Sequence, residues 1–164
     1  MSRARVLILA WGNPSRGDDA LGPRLIERLE ALQDGRAEPG PELVTDFQLQ
    51  IEHALDLVDR DLVVFADAAA SGPEPFGFGP VTLEPAISVS THALSPGTLV
   101  DVFRRVLGHQ APPCYVLGIR GYAFDLGSEP SPQALANLDA ALAFLEDWLP
   151  SALQHGPGGE GPPG

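Results

Sequence analysis

Residues 6–22 read Val-Leu-Ile-Leu-Ala-Trp-Gly-Asn-Pro-Ser-Arg-Gly-Asp-Asp-Ala-Leu-Gly, and the fold is decided here. Val6 to Ala10 is a continuous apolar run stopped by Gly12-Asn13-Pro14, the pattern of a strand buried on both faces. From Ala20 the period changes. Leu21, Leu25, Leu29 and Leu32 fall on one helical face, with Arg24, Glu27, Arg28 and Glu30 elsewhere, and Pro23 is tolerated because it lies in the first turn. A buried strand that passes through a short polar loop into an amphipathic helix opens a βαβ unit.

The same alternation continues along the chain. Glu42–Phe47 is a second strand candidate after the Gly/Pro-rich stretch 35–41. Ile51, Ala54, Leu55 and Val58 form a short helical stripe, and Leu62–Ala66 is a third buried strand. The Gly/Pro-rich stretch from Ser71 to Pro80 reads as a loop, and Val81–Leu83 as a short strand. Ser95-Pro96 and Ser131-Pro132 each place a capping residue and a proline at a helix start, and Tyr115–Ile119 is a further strand between those helices. The expected architecture is α/β: a three-layer sandwich with a mostly parallel, twisted sheet of about five strands and helices on both faces. Residues 1–150 are expected to form a single domain, and the Gly/Pro-rich end, 151–164, a disordered tail.

Composition narrows the function. The 164 residues carry 22 acidic and 10 basic side chains, for a net charge of −12, and every basic residue is Arg. A surface this acidic repels phosphate backbones and anionic lipid, so neither nucleic acid nor a membrane surface is an expected partner. Without Lys, a P-loop lysine, a Schiff base and a Ser-Lys dyad are all excluded. One cysteine, Cys114, rules out an internal disulfide and a Cys-rich zinc site, so a reducing, cytoplasmic setting is expected. Cys114 opens an apolar strand and reads as a buried, inert thiol. Val6–Trp11 is too short for a signal-peptide core, and no apolar run approaches the ~20 residues of a bilayer span.

In an open α/β sheet, ligands bind beyond the carboxyl ends of the strands. Three polar groups qualify by position: Asp18-Asp19 after the first strand, Asp67 at the end of the third, and His92 in Ser90-Thr91-His92 after the fourth. The first loop lacks both G-x-G-x-x-G and a Walker lysine, and its paired carboxylates would repel phosphate. One of Asp18 and Asp19 can cap a helix, and both cannot cap the same turn, which leaves one carboxylate over for function. Asp67 alone reads equally well as a turn cap. His53, His109 and His155 read as solvent-facing or structural, and Trp11 and Trp148 as packing or rim residues. Two carboxylates and one imidazole on a single rim form an O/O/N set suited to a divalent ion such as nickel or zinc, with coordination positions left open.

These motifs resemble the hydrogenase maturation endopeptidases, cytoplasmic proteases that trim the C-terminal extension from the precursor of the NiFe-hydrogenase large subunit. The resemblance runs from about Arg5 to Leu149. It rests on Gly12-Asn13, Asp18-Asp19 and Gly22 after a strand, Asp67-Ala68 ending another, and Ser90-Thr91-His92 with Leu94 before a helix. By position it implies Asp19, Asp67 and His92 as metal ligands and catalytic residues. It also implies nickel as the metal, carried by the substrate so that the resting enzyme is metal-free, and a monomeric enzyme whose partner is the large-subunit precursor. Asp19 stands where the family often has Glu. Gln48-Leu49-Gln50 replaces a Gly-rich turn common in the family, which bears on the hydrogenase served, not on the reaction. The alternative from another class is a non-catalytic metal-binding or nickel-escort module using the same rim.

Overall fold

A computed structural model describes residues 4–84 and 94–156. Five strands form one sheet in the order β2-β1-β3-β5-β4. They are β1 (Val6–Trp11), β2 (Glu42–Asp46), β3 (Leu62–Ala69), β4 (Phe76–Pro80) and β5 (Cys114–Arg120). Only β4, at one edge, runs antiparallel to its neighbour. The helices are α1 (Leu21–Gln33), α2 (Pro96–Leu107) and α3 (Pro132–His155), with 3-10 turns at Gly17–Ala20 and Ile51–Leu57. The expected architecture is therefore the one observed. Because the chain leaves β1 toward β2 on one side and leaves β3 toward β5 on the other, a crevice opens between the carboxyl ends of β1 and β3.

Strand alternation divides the apolar residues between two cores. Val6, Ile8 and Ala10 of β1, with Val64, Ala66, Leu117 and Ile119, face α1 and α3. Leu7, Leu9, Val63 and Phe65 face α2 and the 51–57 turn, where Leu99, Phe103, Ala54 and Leu57 meet them. Burial on both faces is why the central strands read as unbroken apolar runs. Both Ser-Pro starts hold. The Ser95 hydroxyl accepts from the Thr98 amide and the Ser131 hydroxyl from the Ala134 amide, each with proline in the first turn.

Four local expectations are corrected. Phe76–Pro80 is a strand, not a loop: Phe76 and Phe78 alternate with glycines and pack on Phe144 and Trp148 of α3. The apolar gain of that aromatic cluster outweighs poor strand propensity, and an edge position tolerates proline. Val81–Leu83 is not a strand, although the Val81 amide still donates to the Cys114 carbonyl. The 51–57 segment is a 3-10 turn that buries His53, Ala54 and Leu57 while Ile51 and Leu55 are exposed. The helix α3 carries on through Ser151 to His155, residues expected to belong to the tail. Among the described residues, no helix is long and apolar enough to cross a membrane.

Gly22 sets how closely α1 approaches β1. A Cβ placed there would lie 2.3 Å from the Trp11 carbonyl oxygen, a backbone atom that cannot step aside. Gly22→Ala is expected to destabilise the protein by about 2–3 kcal/mol, as overpacking does. Urea denaturation followed by circular dichroism measures it.

Candidate functional site

The loop after β1 is shaped by backbone contacts before any catalytic group is considered. Gly12, at φ 149°, passes so close to the following turn that a Cβ would lie 2.0 Å from the Asp19 carbonyl oxygen. Its amide donates to the Asp46 carbonyl of β2, which fixes where the loop leaves the sheet. The loop then runs alongside the segment after β5. The Gly17 amide donates to the Ser128 carbonyl, the Asp18 amide to the Ala123 carbonyl, and the Gly127 amide to the Ser15 carbonyl.

Asp18 joins the same two segments through its side chain, and no part of it reaches solvent. Its carboxylate accepts from the amides of Tyr122 (2.6 Å), Ala123 (3.0 Å) and Ser131 (2.6 Å) and from the Ser131 hydroxyl (2.8 Å). Burial alone would push its pKa up, but the amides of Ala123, Ser131 and Tyr122, with the Ser131 hydroxyl, outweigh it and hold the carboxyl below its ordinary value. Asp18 is thus the structural member of the pair. It orients Ser131, the capping residue of α3, rather than capping its own turn.

Asp19 points the other way and is only half-buried. One of its oxygens accepts from the Asn13 amide at 2.8 Å, while the Asn13 side chain accepts from the Ser15 amide at 2.9 Å. Across the crevice, Asp67 is the first residue of β3 beyond its pairing with β1, which ends at Ala10 and Ala66. The strand itself continues to Ala69 because β5 still pairs with it. The Asp67 carboxylate accepts from the Ala68 amide at 2.8 Å. Its pKa is pushed up to about 7, first by burial and further by the negative charge of Asp19, against the opposing hydrogen bonds from the Ala68 amide and the Trp11 indole. The two carboxylates are therefore close enough to sense each other. Such an acidic pair favours binding a cation or sharing a proton.

The third expected site residue, His92, lies outside the described residues. Among the described residues, no group of three or more His, Cys, Asp or Glu side chains is placed to hold a metal ion. Cys114 is buried, with its thiol pushed up to about 12 by burial, which makes it as unreactive as expected. Trp11, expected as a packing or rim residue, packs its ring edge-on against Phe65. His53, read as solvent-facing or structural, is buried: its Nδ1 accepts from the Gln50 amide at 2.8 Å, and its Nε2 lies 3.3 Å from an Asp46 carboxylate oxygen. No spacing rule signals the burial of His53 or its contacts.

Solved structures with the same fold include hydrogenase maturation enzymes. The maturation protease HycI from Thermococcus kodakarensis is 24% identical, with a TM-score of 0.65 over 87% of this chain and 90% of its own. The E. coli endopeptidase HybD is 20% identical, with a TM-score of 0.64 over 93% and 94%. A hydrogenase 2 maturation peptidase from a Thaumarchaeota archaeon is 20% identical, with a TM-score of 0.62 over 90% and 99%. This chain has their fold. No protein-family model and no curated protein matches it.

The two aspartates of the first loop separate by experiment. Asp18→Ala leaves four donors without an acceptor and is expected to cost about 3–5 kcal/mol, whereas Asp19→Ala costs less than about 1 kcal/mol. Asp67 affects stability in the opposite sense. Between its unfolded pKa near 4 and its folded pKa of about 7, the native state holds a proton that the unfolded chain has released. That contribution to stability is full below pH 4 and is lost as pH rises to 7. Asp67→Asn is therefore expected to be more stable than the parent at pH 8, by roughly 2–4 kcal/mol, with the gain disappearing at pH 4. Thermal melts at the two pH values measure it.

Proposed function

We propose that this chain is an endopeptidase that removes the C-terminal extension of a NiFe-hydrogenase large-subunit precursor after nickel insertion. The observation that carries the reading is the acidic pair Asp19–Asp67, set in the β1/β3 crevice of a fold shared with hydrogenase maturation proteases over nearly the full length of both chains. In this reading the metal arrives with the substrate. Asp19, Asp67 and His92 supply two oxygens and a nitrogen to nickel that keeps precursor thiolates on its other positions, a donor set suited to nickel. Recognition then requires a loaded precursor, and the resting protein needs no metal of its own.

The residues of the chain also suggest how the peptide bond is cut. A carboxylate oxygen of Asp67 left free of the nickel can serve both halves of amide hydrolysis. As a base, Asp67 takes a proton from the water that attacks the scissile carbonyl. As an acid, it returns that proton to the departing amine, so the peptide C–N bond breaks while a C–O bond forms. Asp19 disfavours ionisation of Asp67 by its charge, and the Asn13 amide holds Asp19 in place. The setting we propose is cytoplasmic, with the enzyme monomeric.

The test is incubation of the purified chain with its precursor, with and without nickel loading, followed by gel electrophoresis. The loaded precursor should shift down by the mass of the extension and the unloaded one should not. Alanine at Asp19, Asp67 or His92 should abolish the shift while the circular dichroism spectrum stays native. Nickel transfer with no change in precursor size would replace proteolysis with metal escort.

A further inference from the structure

We propose that Phe47 and Ile51, on the bend that follows β2, form the docking surface on which the precursor polypeptide rests beside the crevice. The chain around them alternates between core and solvent. Leu49 is buried with Leu7, Leu9 and Phe65, yet Phe47 on one side of it is 68% exposed and Ile51 on the other is 44% exposed. The bend that turns them outward is tied at both ends. The Phe47 amide donates to the Asp46 carboxylate at 2.7 Å and the Gln50 amide to His53 Nδ1 at 2.8 Å, while His53 Nε2 lies 3.3 Å from the other Asp46 oxygen. An aromatic ring left in water on a bend already set in place offers apolar area for a partner to bury, with little ordering cost on binding.

Position and charge identify the occupant. Asp46 pairs with Trp11 of β1, and β1 pairs with β3 through Ala10 and Ala66, so Asp46 and Asp67 stand two strand spacings apart, about 10 Å. Both belong to the sheet face of Val44, Leu9 and Phe65, since strand residues alternate faces. A polypeptide whose scissile bond lies at Asp67 therefore reaches the bend within about three extended residues. From Leu43 to Asp59 the chain holds Asp46, Glu52, Asp56 and Asp59 and no Arg or Lys. An apolar anchor in acidic surroundings fits a segment that offers a large apolar side chain flanked by basic residues. It does not fit a second copy of this chain, whose net charge of −12 would set like charge against like. Two side chains also fall far short of the about 800 Å² per partner that a stable dimer buries. The identity of the occupant rests on the proposed protease reading.

The experiment compares the full chain with Phe47→Ser, with the double substitution Phe47→Ser/Ile51→Ser, and with Val106→Ser, which removes a comparably exposed apolar side chain from α2. Trimming of nickel-loaded precursor is expected to show KM raised about tenfold in Phe47→Ser and further in the double variant, with kcat kept at saturation. Phe47→Leu should recover most of the loss, and Val106→Ser should change neither constant. Calorimetry of the same precursor with the full chain and the double variant reads docking without turnover when both also carry Asp67→Asn. The double variant should bind at least about tenfold more weakly, and the affinity of its counterpart should fall with added salt. Parental KM and parental affinity in the double variant would overturn the proposal, and an affinity indifferent to salt would remove the basic flank from it. If the full chain binds the precursor without trimming it, the protease reading fails instead, and the calorimetric comparison still decides the docking surface. No binding at all would overturn both.

Discussion

The buried carboxylate of Asp18 is the constraint on which the site depends. Its hydrogen bonds reach the Tyr122 and Ala123 amides after β5 and the Ser131 amide and hydroxyl at the start of α3. Two separate parts of the chain are thereby fixed relative to the loop after β1. Asp19 inherits that rigidity through a single peptide bond. A carboxylate on an untethered loop would move away from a second negative charge, and this one is held near it. The pairing of a satisfied buried acid with a half-buried acid next in sequence is how the fold presents like charges together.

The cost of that arrangement falls on Asp67. Burial and the charge of Asp19 both disfavour its ionised form, and two hydrogen bonds only partly compensate. Natural active sites commonly give up stability in this way, because a group matched to proton transfer near neutrality is poorly stabilised in its charged form. The rest of the sheet absorbs the penalty. Between the β1/β3 crevice and the outer helices lie two apolar cores, and the strands that carry Trp11 and Asp67 are buried on both faces below the site.

Much of this was legible in the sequence because it depends on periodicity and local chemistry. The apolar runs of β1 and β3, the Leu21, Leu25 and Leu29 stripe and the two Ser-Pro caps each announce their element within a few residues. Asp67 was legible as a carboxylate following an apolar strand run, although β3 itself continues to Ala69. The division of labour between Asp18 and Asp19 was not, since Asp18 is satisfied by residues more than 100 positions away, which no local pattern encodes. The strand Phe76–Pro80 was hidden by its glycines and prolines, because its stability comes from aromatic contacts with α3 and Tyr115. His53 has its place set by contacts with Gln50 and Asp46, where side-chain direction matters more than spacing.

The likeness to hydrogenase maturation proteases, at 24% identity or below for the structures compared, establishes the fold, and fold alone does not fix activity. The functional reading therefore depends on Asp19 and Asp67 acting on each other. Labelling the aspartate carboxyl carbons and following them by nuclear magnetic resonance from pH 3 to 9 tests that directly. Asp67 should titrate with a midpoint of about 7, and the midpoint should fall when Asp19 is replaced by asparagine. A midpoint in the ordinary carboxylate range, unchanged by that replacement, would contradict it.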